Sequence, residues 1–127
     1  MEEYQLNVSK WLLQCFGEEI ANDQTERSFR FTEESLELVQ SLGISKEQVL
    51  QLVDYVFERP LGETHQEVGG VMVTLAALCF ASNINLETAA NDEYERILTK
   101  IEKIRAKHFS KPKDVLSPIP GNYNKNN

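Results

Sequence analysis

The feature that most constrains this chain is an apolar run in its second half. Residues 71–80 read Val-Met-Val-Thr-Leu-Ala-Ala-Leu-Cys-Phe, with Thr74 as the one polar side chain. A segment that is apolar on nearly every helical face predicts a buried helix, which we place from near Glu63 onward. Gly69 and Gly70 lie inside this helix and each cost about 1 kcal/mol relative to alanine. We therefore expect another helix or a ligand to approach closely at that level.

Four further helices are predicted from apolar residues that recur at i, i+3, i+4 and i+7. Local signals mark their ends, namely a helix-ending glycine, a Ser-x-x-Gln capping box and an asparagine cap. The sequence thus predicts an all-α fold of about five helices in one domain, residues 1–109. Residues 110–127 are rich in Pro and Asn, and we expect them to form an extended or mobile tail. The predicted spans are Asn7 to about Asn22, Arg30 to Gly43, Lys46 to about Glu58, and Leu86 to about Phe109.

Composition limits the class of protein and its partners. The 127 residues are 41% hydrophobic and carry a net charge of -7, which argues against a general binder of nucleic acid or anionic membranes. The apolar run is too short to span a bilayer, and no basic N-terminal segment followed by an apolar stretch is present. Cys15 and Cys79 lie in apolar helical runs without metal-binding spacing and are interpreted as reduced core thiols. We therefore expect a cytoplasmic protein without membrane or nucleic-acid partners.

Three carboxylates lie one turn apart on the predicted second helix. Glu33 and Glu37 are spaced i,i+4, and Glu34 and Glu37 are spaced i,i+3, so their side chains meet on one face and repel each other. A hard divalent cation such as Mg²⁺ would compensate this repulsion. A solvated acidic first turn that favours the helix dipole explains the same pattern. The local spacing leaves both interpretations open.

Other charged residues are ambiguous in the same way. Glu63 and Glu67 repeat the i,i+4 spacing on the apolar helix, whereas His65 points to a different face and is not expected to be a ligand. Arg27 and Arg30 precede the acidic stretch, where they could pair with its carboxylates or with a ligand phosphate. A basic segment near the end of the last helix is either a row of phosphate ligands or a set of solvated dipole partners: Lys100, Lys103 and Arg105.

Four stretches of the chain carry a resemblance to a known family: Trp11 to Glu19, Arg30 to Leu38, Glu67 to Thr74, and Thr99 to Arg105. Together they resemble the MazG-like all-α nucleoside triphosphate pyrophosphohydrolases, in the single-domain form found in phages and bacteria. The resemblance covers most of residues 8 to 112. It implies a four-helix-bundle core, a homodimer or homotetramer, and Mg²⁺-dependent conversion of a (d)NTP to (d)NMP and pyrophosphate, with Mn²⁺ as a substitute. It also suggests a purine substrate such as dGTP, and host cytoplasm if the chain is phage-encoded.

The family pattern EExxE followed by ExxD assigns roles to these residues by resemblance. Glu34, Glu37 and Glu67 would hold Mg²⁺. Glu33 and Glu34 would serve catalysis, with Glu33 helping to hold a second ion or positioning the water that attacks the α-phosphorus. Lys100, Lys103 and Arg105 would meet the phosphates. The chain departs from the pattern at Gly70, where the aspartate belongs.

The missing aspartate leaves two questions open. If the fourth helix extends back to Glu63, that carboxylate projects onto the face of Glu67 and can replace the absent acid. Otherwise Glu63 is a favourable acid in the first turn. The departure at Gly70 also keeps open a different class of function, a non-catalytic helical interaction or nucleotide-binding module that lacks a complete metal site.

Overall fold

The computed structural model describes residues 1–110, and in this part of the chain it contains six α-helices and no strand. The predicted all-α class is confirmed. The helix count is one higher than predicted, because the expected long last helix is broken at Thr99 and Lys100. Apart from Ser110, which ends the last helix, the predicted tail lies outside the described residues. The helices are α1 (Glu2–Ala21), α2 (Gln24–Ser41), α3 (Lys46–Phe57), α4 (Thr64–Ala81), α5 (Leu86–Leu98) and α6 (Ile101–Ser110).

The chain divides into two compact units. Unit 1 comprises Met1–Leu38 and the chain from Tyr94 on, and unit 2 comprises Val39–Glu93. Unit 1 therefore contains α1, most of α2 and all of α6, whereas unit 2 contains α3 and α4.

In unit 1, α1 packs against α6 at a break in α1. The break is at Gly17, whose φ of 83° and ψ of 172° fall in a region that side chains essentially exclude. Next to it, Cys15 is 1% exposed and its thiol lies 3.8 Å from the carbonyl oxygen of Ile101. The Phe16 ring lies 5.0 Å from the ring of His108, centroid to centroid. The break thus coincides with the contact that joins the two ends of the described chain.

The predicted local signals at the helix ends are present. Gly43 follows α2 with a φ of 92°, and the N–H of Ile44 donates to the carbonyl of Val39 at 3.1 Å, as in a glycine-terminated helix. Ser45 and Gln48 form the capping box of α3. Asn85 accepts a hydrogen bond from the N–H of Thr88 at 2.8 Å. These confirmed ends rest on interactions between residues only a few positions apart.

The prediction that the apolar fourth helix is the most buried is wrong for the single chain. In α4 only Cys79 is buried, while Val73 is 69% and Phe80 is 89% exposed. No atom lies within 4 Å of a Cβ built on Gly69 or Gly70, so the expected close approach is also absent among the described residues. The physical reason is that α3, which has no buried residue, leaves the apolar surface of unit 2 largely uncovered.

Within residues 1–110 no single helix has both the length and the hydropathy that a membrane span requires, although α4 and α5 have them together as a pair bent by 103°.

Candidate functional site

The predicted acidic face lies on α2, which begins earlier than expected, at Gln24 rather than near Arg30. Helix geometry brings Glu33, Glu34 and Glu37 to one face. The Glu33 side chain is 29% exposed, whereas Glu34 and Glu37 are exposed residues. Glu33 is thus the acid of this set that is held closest to the body of unit 1.

Arg30 contacts Glu33 directly. Its Nη1 donates a hydrogen bond to Glu33 Oε1 at 3.2 Å, one turn along the helix. The sequence left open whether this arginine pairs with a carboxylate or with a ligand phosphate, and in unit 1 it pairs with the carboxylate. The Arg30 side chain is only 16% exposed, so its charge is partly removed from water.

A fully buried carboxylate, Glu26, lies behind this pair. Its Oε1 is 3.4 Å from Arg30 Nε, 3.7 Å from Arg27 Nη2 and 3.4 Å from His108 Nδ1, and its side chain is 0% exposed. Its backbone N–H donates to Asp23 Oδ1 at 2.9 Å. A buried carboxylate is tolerated when a positive group such as the Arg30 guanidinium pairs with it. We call the residues Glu26, Arg27, Arg30 and His108 the buried charge cluster.

Arg27 belongs to the same cluster but faces a different neighbour. Its guanidinium lies 5.3 Å from the centroid of the Phe16 ring, an arrangement that favours a cation. Burial lowers the pKa of Arg27 below its ordinary value, and adjacent Glu26 acts in the opposite direction. The side chain remains charged at neutral pH because an arginine does not lose its proton in proteins.

Sequence reasoning missed two members of the buried charge cluster, Glu26 and His108. A signal for Glu26 existed, since it precedes Arg30 by four residues, the spacing of a helical ion pair. No local signal identifies His108, because α6 reaches α2 only through the tertiary fold.

In unit 2, Glu63 is the N-cap of α4 rather than part of the helix. Its φ and ψ are -97° and 126°, and its carboxylate oxygens accept bonds from the backbone N–H groups of His65 at 3.1 Å and Gln66 at 2.7 Å. The substitute-ligand hypothesis assumed that α4 extends back to Glu63, and this assumption is wrong because the helix begins at Thr64. The capping bonds explain why: they satisfy N–H groups that the first turn leaves open.

Glu67 lies one turn into α4 and is exposed. Its carboxylate oxygen Oε1 lies directly over Gly62, in the space that a side chain at position 62 would occupy. Gly62 thus permits the position in which the Glu67 carboxylate is found.

The break between α5 and α6 forms an open pocket of about 380 Å³ in unit 1, and two of the three predicted phosphate ligands line it. Arg105 does not line it; this side chain lies 3.9 Å from Glu102 in an exposed ion pair. The pocket places two lysines beside the first N–H groups of α6, an arrangement suited to an anion. Its lining residues are Leu98, Thr99, Lys100, Ile101, Glu102 and Lys103.

No three His, Cys, Asp or Glu side chains in residues 1–110 form a group that could hold a metal ion. Mg²⁺, however, is commonly bound by one or two carboxylates together with substrate phosphates and water. Glu34 and Glu37, exposed and one turn apart, provide two such oxygen donors on α2. Two carboxylates of this kind would leave most of the coordination positions of a bound Mg²⁺ to water or to another ligand.

Comparison with known proteins gives no assignment: no protein family, no curated protein and no solved structure matches this chain.

Proposed function

We propose that this chain is a metal-dependent nucleoside triphosphate pyrophosphohydrolase that converts a (d)NTP to (d)NMP and pyrophosphate, with a purine such as dGTP as the preferred substrate. The observation that carries the proposal is the carboxylate face of α2, where Glu33 is held by Arg30 while Glu34 and Glu37 stay exposed. A solvated acidic turn does not require one of its acids to be fixed by a partly buried arginine. The resemblance to the MazG-like enzymes supports the reaction and the substrate class.

The exposed acids are assigned to the metal and the phosphates. Glu34 and Glu37 of α2 supply carboxylate oxygens. The resemblance implies a metal-binding role for Glu67 of α4 as well. Bound Mg²⁺, or Mn²⁺ in its place, would neutralise phosphate charge and lower the pKa of a coordinated water. Glu63 is assigned first to capping α4, because both of its carboxylate oxygens already accept backbone hydrogen bonds.

Glu33 is assigned to the attacking water. The Glu33 carboxylate, which accepts a hydrogen bond from Arg30 at Oε1, is the group that we propose accepts a proton from this water. Its fixed direction matters because hydrolysis of a phosphoanhydride requires the water to lie in line with the bond that breaks.

The pocket between α5 and α6 is assigned to the phosphates that do not react. Lys100 and Lys103 line it, and both are exposed side chains with a charge available to an anion. Arg105 is assigned a lesser role, because it lies outside the pocket.

A panel of NTPs and dNTPs with pyrophosphate detection, at millimolar Mg²⁺ or Mn²⁺, tests the proposal. We expect metal-dependent release, and a loss of about a hundredfold or more in kcat for Glu34→Gln and Glu37→Gln. Glu47→Gln is the matched control, because Glu47 is also an exposed acid in a helix. Absence of release from every nucleotide would contradict the proposal.

The second candidate is a non-catalytic helical interaction or nucleotide-binding module. It is favoured by Gly70 in place of the family's aspartate and by the absence of a three-acid group in residues 1–110. Calorimetry distinguishes the two: this candidate predicts nucleotide binding that is unaffected by chelation of metal and is not followed by turnover.

We further propose that the active form is a homodimer or homotetramer in which a second copy completes a four-helix-bundle core around α4. Fourteen large apolar side chains of unit 2 are at least 39% exposed in the single chain. An exposed apolar set of this size can form the core of an interface, which in a stable complex buries about 800 Å² on each partner. The free thiols of Cys15 and Cys79 suit the reducing cytoplasm, where we place the protein.

A further inference from the structure

Arg30 stands between two carboxylates that differ in surroundings. Its Nε lies 3.4 Å from Oε1 of Glu26, which is 0% exposed, and its Nη1 lies 3.2 Å from Oε1 of Glu33, which is 29% exposed. One guanidinium thus connects a carboxylate that has no access to water with one at the edge of the candidate site. Glu26, Arg30 and Glu33 also lie on one side of α2, at i, i+4 and i+7.

We propose that Arg30 is a positioning residue for Glu33, and that Glu26 is the anchor that fixes Arg30. The inference rests on the proposed function, because it gives Glu33 a reason to be fixed. An exposed glutamate samples several rotamers, and each one moves its carboxylate by ångströms. The Arg30 guanidinium, paired with the buried Glu26 carboxylate, restricts the rotamers of Glu33 before substrate binds.

The anchor is itself supported by the contact between α2 and α6. His108 Nδ1 approaches the same Glu26 oxygen at 3.4 Å, and the His108 side chain is 4% exposed. The His108 ring is packed against those of Phe16 and Phe109, with centroids 5.0 and 5.1 Å away. A series of contacts therefore connects α6 with the acidic face of α2. Its members, in order, are His108, Glu26, Arg30 and Glu33.

The geometry requires arginine at position 30. Nε and Nη1 are fixed in one plane and can face two carboxylates at once, whereas a lysine is a single point of charge on a flexible stem. Arg30→Lys preserves the charge but contacts only one of the two acids at a time. It therefore separates positioning from simple charge neutralisation.

The chain provides a matched control in Arg27. This neighbour also contacts Glu26, at 3.7 Å, and is likewise partly buried, but its other contact is the Phe16 ring. Arg27→Gln removes a charge from the same cluster without removing the hydrogen bond to Glu33. If Arg27→Gln and Arg30→Gln lowered kcat equally, the buried charge cluster would have a general structural role and Arg30 would not position Glu33.

The kinetic test compares kcat and KM for hydrolysis of the best substrate by the full chain. We expect Arg30→Gln and Arg30→Lys to lower kcat by about tenfold to a hundredfold with KM within about twofold, and Arg27→Gln to keep kcat within about twofold. Glu26→Gln should add little to the loss in an Arg30→Gln background, because both changes disable one unit. Circular dichroism confirms that each variant is folded.

Two kinetic results would overturn the inference. A rise in KM with unchanged kcat in Arg30→Gln would mean that Arg30 binds substrate phosphate directly. A kcat for Arg30→Lys equal to that of the unmodified protein would mean that charge alone suffices.

A second measurement does not depend on activity. The side-chain carboxyl ¹³C resonance of Glu33, assigned by its loss in Glu33→Gln, should shift in Arg30→Gln and Arg30→Lys, and should stay in place in Arg27→Gln. If no nucleotide is hydrolysed but this pattern is found, the proposed function fails and the positioning of Glu33 stands. If hydrolysis is found but the resonance is unchanged in the Arg30 variants, the positioning inference fails alone.

Discussion

Individual residues in this chain carry charges in places where charge is costly. Glu26 is completely buried, and Arg27, Arg30 and His108 approach its carboxylate. On the surface the opposite holds: Glu34, Glu37 and Glu67 are exposed acids whose role depends on what they bind. The chain therefore contains one acid that is enclosed by unit 1 and several acids that are exposed on the surface.

The role of Glu63 can be tested directly. Because Glu63 is the N-cap of α4, Glu63→Ala should lower the free energy of unfolding by about 1 kcal/mol. Glu63→Ser should retain most of that stability, because serine also caps helices. Urea unfolding measures both.

The same pair of variants tests the predicted metal role of Glu63. If capping is its function, Glu63→Ser should leave metal affinity and hydrolysis unchanged. A loss of activity in Glu63→Ser as large as that in Glu67→Gln would show instead that the Glu63 carboxylate is a ligand.

Cys15 predicts a pH dependence of stability. Burial raises the pKa of its thiol above the ordinary 9.0, although Arg105 acts in the opposite direction. As pH rises past 9, the unfolded chain loses this proton while the folded chain keeps it, so the unfolded chain binds fewer protons and stability falls. Below pH 9 the contribution is fully present.

Cys15→Val removes this titration and serves as the reference. The free energy of unfolding of both proteins is measured in urea from pH 7 to 10.5. Above pH 9 we expect the unmodified protein to lose stability relative to Cys15→Val. A difference that does not change with pH would contradict the assignment.

At the scale of helices, ends set by neighbouring residues were predicted better than breaks set by the fold. The capping box at Ser45 and the glycine end at Gly43 are where the sequence placed them. The breaks at Gly17 and at Thr99 and Lys100 were not predicted, because apolar spacing continues through both.

The break at Gly17 yields a prediction about α1. Gly17→Ala would force a side chain into a φ and ψ combination that only glycine adopts readily, at a cost of about 1 to 3 kcal/mol. No atom lies within 4 Å of the added methyl group, so the cost comes from the backbone and not from a clash.

Urea unfolding followed by circular dichroism at 222 nm measures this cost. Unchanged or increased stability in Gly17→Ala would mean that α1 is continuous through residue 17 in solution.

For the whole molecule, the apolar surface of unit 2 is the dominant unexplained area of the single chain. Val73 and Phe80 lie two turns apart on one face of α4, at 69% and 89% exposure. Apolar surfaces of this extent are uncommon on monomers and mark interaction sites. The proposed dimer or tetramer would cover them.

Glutamate at either position should dissociate the assembly, because a carboxylate in an apolar interface is costly to desolvate. We expect light scattering at micromolar concentration to give a dimer or tetramer for the unmodified protein and a monomer for Val73→Glu and Phe80→Glu. Phe80→Leu is the control and should keep the assembly. A monomer for the unmodified protein would contradict the proposed assembly.

The all-α class, several helix ends and the shared face of Glu33, Glu34 and Glu37 could be predicted from the sequence, since each depends on residues within about one helical turn. The burial of Glu26, its contact with His108 of α6 and the contact of Arg30 with two carboxylates depend on the tertiary structure. Burial and the meeting of distant segments depend on how helices pack, and helical periodicity is compatible with many packings. Glu63 is an intermediate case. Its i,i+4 spacing to Glu67 is plain in the sequence, but α4 begins one residue later, at Thr64, so the Glu63 carboxylate binds backbone N–H groups of the first turn.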